Sequence, residues 1–277
     1  MNEIKEKSFR GPVKAIIFDW AGTTVDFGCM APTGVFIEVF RQKGIDITVA
    51  EARGPMGLHK RDHIRIIGSY PRVAQLWEEK YGRSINEDDI NQMFESFIPL
   101  QMEVIKNHAE IVPELPAALE IAKMKGLKIG STTGYNNEMM EILTRAAAEQ
   151  GYIPDSWVCA TDVPAGRPAP WMAFKNAEKL GVYPMHSIIK IGDTIADIDE
   201  GLNAGMWSVG VIKSSNEMGL TLNELQALDT HELQQRTIEI RQKYFDAGAH
   251  FVIDNLSELE ELIDQINEKL ALGEVPR

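Results

Sequence analysis

Short, nearly unbroken apolar runs alternate with amphipathic stretches along most of this chain, and few folds accommodate that rhythm. The runs are Val13–Phe18, Leu127–Ser131, Trp157–Ala160, Ile188–Ile191 and Trp207–Ile212. Each is close to strand length and lacks the in-out alternation of a sheet with one wet face, so both faces must be covered, as in a parallel sheet. Helix-like stretches lie between them at Glu114–Lys125, Asn136–Gln150, Pro170–Leu180 and Ile195–Ala204. Gly126, Gly151, Gly181 and Gly205 follow these stretches, as helix-ending residues do. The alternation predicts a doubly wound, Rossmann-like α/β core.

Residues 27–106 break the rhythm. They contain no strand-like run, only amphipathic patterns around Ala31–Lys43, His59–Ile67, Arg72–Tyr81 and Glu87–Lys106. A connection of that length is no ordinary βα loop. We therefore expect an all-helical cap domain at 27–106, inserted into a core made of 1–26 and 107–277, with hinges near Asp26–Met30 and Lys106–Pro113. Past the fifth run, Leu222–Phe245 reads as one or two surface helices, His250–Ile253 as a last short strand, and Ser257–Leu270 as a final helix with a solvated acidic face.

Composition narrows the function classes. A net charge of −13 argues against a general nucleic-acid binder. Cys29 and Cys159 are the only cysteines, which makes neither a disulfide framework nor a zinc site. No apolar run approaches the ~18 residues of a membrane span, and the charged stretch Met1–Arg10 lacks the apolar segment of a secretory signal. A cytoplasmic protein without nucleic-acid or membrane partners is the expectation.

In a parallel α/β sheet the ligand crevice lies beyond the carboxyl ends of the strands. The first run ends on Asp19-Trp20-Ala21-Gly22-Thr23 and the second on Ser131-Thr132-Thr133-Gly134-Tyr135. The third is followed by Pro164-Ala165-Gly166-Arg167-Pro168, and the fourth ends on Gly192-Asp193-Thr194-Ile195-Ala196-Asp197. Carboxylates, hydroxyls and a cation thus converge on one crevice.

This order of motifs resembles the haloacid dehalogenase superfamily: an Asp nucleophile, a Ser/Thr, a Lys/Arg, and a Gly-Asp pair with a further acid. The resemblance implies that Asp19 attacks phosphorus and forms an aspartyl-phosphate. It implies a hard cation, Mg²⁺, held by Asp19, Asp193 and the backbone carbonyl of Ala21, with Asp197 contacting it through water or orienting the other ligands. Thr132 or Thr133 and the backbone of Gly134 would hold phosphate oxygens, and Arg167 would bring a fork-shaped cation to the phosphoryl group.

One position departs from the superfamily's phosphatases, which keep a second Asp as general acid two residues after the nucleophile. Here that residue is Ala21. The insert offers a substitute for the missing acid: Lys60 and His63, three apart on one helix, just after Gly54-Pro55-Met56-Gly57-Leu58-His59. A lysine with a depressed pKa can attack a carbonyl, with Arg61 and nearby histidines as candidate perturbers. Taken with Asp162-Val163 ahead of the third motif and Ala204-Gly205-Met206-Trp207 near the fifth run, the set closely resembles the phosphonoacetaldehyde hydrolase family along almost the whole chain. That resemblance implies a small phosphonate substrate, a Schiff base on Lys60, a cap that closes during turnover, and a homodimer through the cap. His63 is expected to shuttle protons, and Met56 and Tyr135 to line the aldehyde pocket; Cys29 is a further candidate for the crevice. Two other readings stand beside it: a capped phosphatase or phosphomutase acting on a small ester, against which Ala21 counts, and a non-catalytic phosphate-ligand sensor, against which the retained Asp19, Asp193, Arg167 and Lys60 count.

Overall fold

The computed structural model describes residues 9–276, so most of the N-terminal stretch read above lies outside the described residues. The chain opens on β1 (Ala15–Phe18), which is followed by five helices and no strand: α1 (Met30–Gln42), α2 (Val49–Arg53), α3 (Lys60–Ser69), α4 (Pro71–Tyr81) and α5 (Glu87–Ile105). Regular alternation then takes over, with α6 (Leu115–Met124), β2 (Lys128–Thr133), α7 (Asn137–Ala148), β3 (Ser156–Cys159) and α8 (Trp171–Leu180). It continues through β4 (Ile188–Gly192), α9 (Ile195–Asn203) and β5 (Trp207–Val211). The last elements are α10 (Leu222–Ala227), α11 (Thr230–Asp246), β6 (Phe251–Ile253) and α12 (Leu259–Leu272).

The strands form one sheet in the order β3-β2-β1-β4-β5-β6, with every pairing parallel. All residues of β1, β4 and β5 are buried, as a sheet covered on both faces requires. The order reverses direction between β1 and β4, where crossovers leave toward opposite faces. The carboxyl ends of these two strands therefore open a crevice. Asp19 follows β1 and Asp193 follows β4, so the topology alone sets two carboxylates at its mouth. Gly126, Gly151, Gly181 and Gly205 all take positive φ, the left-handed turn that stops a helix.

The helical insert is anchored by two adjacent crossings. Val25 bridges Ile111, Asp26 N–H donates to Glu110 O, and Val112 N–H donates to Thr24 O. The Asp26 carboxylate caps α1, accepting from Met30 and Ala31 N–H at 3.1 and 2.9 Å. Inside the insert, α1, α3 and α5 pack their apolar faces together around Phe36, Ile64, Met93 and Phe97, all buried. One element was not expected. Helix α2 is too short to show a period, but Thr48 and Glu51 form a reciprocal capping box at its start.

Candidate active site

The turn after β1 is wound tightly: Thr23, Thr24 and Val25 N–H all donate to the carbonyl of Trp20, and Thr24 Oγ1 donates to Asp19 O at 3.0 Å. Trp20 itself is buried, its indole N–H donating to Ser131 Oγ at 2.7 Å, which ties the first strand end to the second. Asp193 is pinned from two sides. Asn216 N–H donates to its Oδ2 at 2.8 Å, and the Tyr244 hydroxyl donates to its backbone carbonyl at 2.6 Å. Asp197 sits in the first turn of α9, where Thr194 caps the helix and donates to its Oδ2 at 2.6 Å.

Arg167 enters from beyond β3 and organises these groups. Its Nη2 lies 2.6 Å from Asp19 Oδ1 and 3.1 Å from Asp197 Oδ1, and its Nε lies 2.9 Å from Glu200 Oε2. Lys190, a fully buried lysine within β4, holds Asp197 at 2.6 Å and Glu200 at 3.5 Å. Asp19, Asp193 and Asp197 each present a carboxylate oxygen within 4.8 Å of the others, all buried. Four buried carboxylates thus face two buried cations, Arg167 and Lys190. The remaining negative excess is what a divalent cation would cancel, and an all-oxygen donor set suits a hard ion. Burial, with the neighbouring Asp19 and Asp197 carboxylates, pushes Asp193 well above the usual carboxylate range. Burial likewise raises Asp19 to about 6, although Arg167 pulls it down.

That shift sets a pH dependence. A proton on Asp19, whose pKa lies at about 6, or on the still more strongly raised Asp193 competes with a cation for the same oxygens, so divalent-ion affinity should fall as pH drops. For one displaced proton the fall is about tenfold per pH unit below the pKa. Calorimetric titration with a divalent salt between about pH 5 and 7.5 checks this expectation.

The insert closes over the cluster. A small cavity is lined by Asp19, Ala21, Arg167 and Asp193 from the core side and by Met56, Gly57 and Lys60 from the insert, with Cys29, Thr133, Gly134, Tyr135 and Thr194 completing it. Lys60 Nζ lies 5.0 Å from the centre of the Tyr135 ring and 5.7 Å from that of Phe36. Burial lowers the Lys60 pKa, as does Arg167, against the opposing pull of Asp19 and Asp193. Arg61 is not the perturber: it turns outward to Asn91 at 2.7 Å and Glu87 at 2.5 Å. The fit of the loop is close. Arg167 Nη1 donates to Gly57 O at 3.3 Å, and a Cβ on Gly134 would sit 2.5 Å from Leu58 O.

Gly57 itself has φ +89°, and a Cβ there would collide with Thr194 Oγ1. We expect Gly57→Ala to displace Lys60 from the cavity and lower kcat by about 10²-fold, the scale of a misplaced reacting group, with an unchanged far-ultraviolet circular dichroism spectrum.

Two expected residues sit differently. His63 does not line the cavity. Its ring stacks on Phe36 with centroids 3.7 Å apart, its Nε2 lies 2.9 Å from Ala52 O, and its Nδ1 is buried without a partner. Burial holds it neutral, well below the usual histidine range. Thr132 is also turned away, donating to Glu200 and accepting from Arg167 at 2.9 and 2.7 Å, which leaves Thr133 and Gly134 at the cavity wall. Cys29 does face the cavity, and burial raises its thiol pKa so that it stays protonated.

Residues 13–205 match the model of the haloacid dehalogenase-like hydrolases. Over 273 residues, 99% of either chain, this protein is 48% identical to phosphonoacetaldehyde hydrolase of Syntrophobacter fumaroxidans. The chain belongs to the phosphonoacetaldehyde hydrolase family. A second protein of that organism, called a phosphonoacetaldehyde hydrolase-like protein, is also 48% identical over 98% of either chain. A crystal structure of a phosphonoacetaldehyde hydrolase-like protein from Oleispira antarctica superposes with a TM-score of 0.97 at 44% identity, covering 100% of both chains.

Within this family site, four supporting residues escaped the sequence reasoning: Lys190, Glu200, Asn216 and Tyr244. Only Lys190 left a hint, as a charge inside the apolar run Ile188–Ile191.

Proposed function

We propose that this chain hydrolyses the carbon–phosphorus bond of phosphonoacetaldehyde to acetaldehyde and phosphate. One observation carries the reading: Lys60 shares a small cavity with the Asp19 carboxylate, while Ala21 stands where an ester phosphatase keeps its acid. Attack at phosphorus expels a carbanion, which a proton donor alone stabilises poorly. An electron sink conjugated to that carbon removes the difficulty.

Neutral Lys60 adds to the aldehyde and, with loss of water, forms an iminium next to the C–P carbon. An Asp19 oxygen then bonds to phosphorus. The C–P electron pair moves into the iminium and leaves an enamine. Water cleaves the aspartyl-phosphate, releasing phosphate and Asp19. The enamine takes a proton at carbon, and water frees acetaldehyde and Lys60. The depressed Lys60 pKa favours the neutral amine that begins the sequence. His63, held neutral by burial and bonded through Nε2 to Ala52 O outside the cavity, is left out of this proton path. Thr133, Gly134 and Arg167 hold the phosphoryl oxygens, Thr132 positions Arg167, and Met56, Tyr135 and Cys29 wall the aldehyde end.

Mg²⁺ is the cation we assign to Asp19, Asp193 and the Ala21 carbonyl, with Asp197 supporting; when bound it neutralises phosphoryl charge against the incoming carboxylate. The domain division is placed at 27–106 for the cap and at 1–26 with 107–277 for the core. The left-handed Asp26 and Cys29 and the paired crossings beside them support hinges there. A homodimer through the cap and a cytoplasmic location belong to the same reading. Among the described residues no helix is long and apolar enough to cross a membrane.

The test is a substrate comparison with Mg²⁺ present. Acetaldehyde and phosphate should appear in equal amounts from phosphonoacetaldehyde, far faster than phosphate from any of a panel of small phosphate esters. Faster turnover of an ester would favour a capped phosphatase instead.

A further inference from the structure

We infer that Arg53 is a latch coupling closure of the insert to the geometry of Asp193, with Asn216 as the relay; the inference rests on Asp193 being a metal ligand. Arg53 ends α2, shortly before Met56 and Lys60. Its Nη1 donates to Gly28 O at 2.8 Å, to Asn216 Oδ1 at 3.1 Å and to Asn216 O at 3.2 Å. Asn216 Nδ2 returns a hydrogen bond to Arg53 O at 3.3 Å. One guanidinium therefore joins the insert, the crossing into it, and the loop after β5.

The same loop reaches the carboxylate. Asn216, 3% exposed, gives its backbone N–H to Asp193 Oδ2 at 2.8 Å. Two residues earlier, Ser214 O accepts from Gly28 N–H at 2.8 Å and Ser214 Oγ donates to Gly22 O at 2.7 Å. Three residues of chain thus touch the crossing, the nucleophile's turn and Asp193 together. When the insert swings away, Asn216 loses every bond to Arg53, and nothing from the insert holds its N–H against Asp193. The carboxylate geometry is complete only when Lys60 is also in place. By linkage, a cation held there favours closure by the same factor that closure favours the cation.

The experiment uses the full chain with Mg²⁺ as the probe and no substrate. Arg53→Ala and Asn216→Ala should each weaken Mg²⁺ binding by about tenfold, the low end for a residue supporting a metal ligand. Asn216→Ala keeps the backbone N–H, so its effect isolates the side-chain latch. The double variant should be no weaker than either single one, because both remove one connection. Arg53→Lys, which keeps a cation facing Gly28 O, should recover part of the affinity. Spin labels on Glu78→Cys and Glu178→Cys should report a distance that Mg²⁺ narrows in the parent chain but not in Arg53→Ala. Unchanged Mg²⁺ affinity in both single variants, or additive losses in the double variant, overturns the relay and leaves the metal assignment standing. A parent chain that binds no Mg²⁺ overturns both.

Discussion

Asp19→Asn should stop phosphate release, with a loss of about 10⁴-fold or more, while leaving the chemistry at Lys60 intact. The magnitude follows what removal of a covalent nucleophile costs elsewhere. The substitution is close to isosteric, so the turn after β1 and its bonds to Trp20 survive. What changes is the charge beside Arg167, 2.6 Å away, and the capacity to bond phosphorus. The iminium needs only Lys60 and the aldehyde, so it should still form and persist. Rapid-quench sampling should then find no phosphorylated protein, while an imine on Lys60 accumulates with added substrate. Turnover near the parent rate would remove Asp19 from the mechanism.

Lys60→Arg should be nearly as damaging, for a different reason. Arginine keeps the positive charge facing Tyr135 and Phe36, but its guanidinium stays protonated and does not condense with an aldehyde. If Lys60 served only to neutralise phosphate, arginine would substitute for it. If it serves as the electron sink, the C–P bond stays intact and kcat falls by more than about 10⁴-fold, beyond the ~10²–10⁴ range of lost proton transfer alone. Measured phosphate affinity should change little. The two substitutions therefore separate the nucleophile from the electron sink.

Much of this was legible in sequence because the site lies at strand ends, and buried strands announce themselves. The runs ending at Asp19 and Asp193 needed only the doubly wound topology to become neighbours, and β1 pairs β4 in register through Phe18 and Ile191. Ala21 was legible as a departure, and Lys60 as the residue proposed to compensate for it. Groups that act through long-range contacts were not. Tyr244 reaches Asp193 from a helix fifty-one positions away, with nothing in its own surroundings to mark it. Glu200 reads as one more polar residue on an amphipathic helix, yet it is fully buried against Arg167 and Lys190. The expectation that Arg61 would perturb Lys60 failed because neighbours on a helix point in different directions. Arg61 follows the outer face to Glu87, and burial does the work instead.

We propose that one cavity joins Schiff-base chemistry at Lys60 to phosphoryl transfer at Asp19. Borohydride reduction during exposure to phosphonoacetaldehyde, followed by peptide mass mapping, tests it most directly. The expected result is irreversible inactivation that requires substrate, with a single reduced adduct on the peptide carrying Lys60 and none in Lys60→Arg. Full turnover of phosphonoacetaldehyde with no adduct on Lys60 would contradict it.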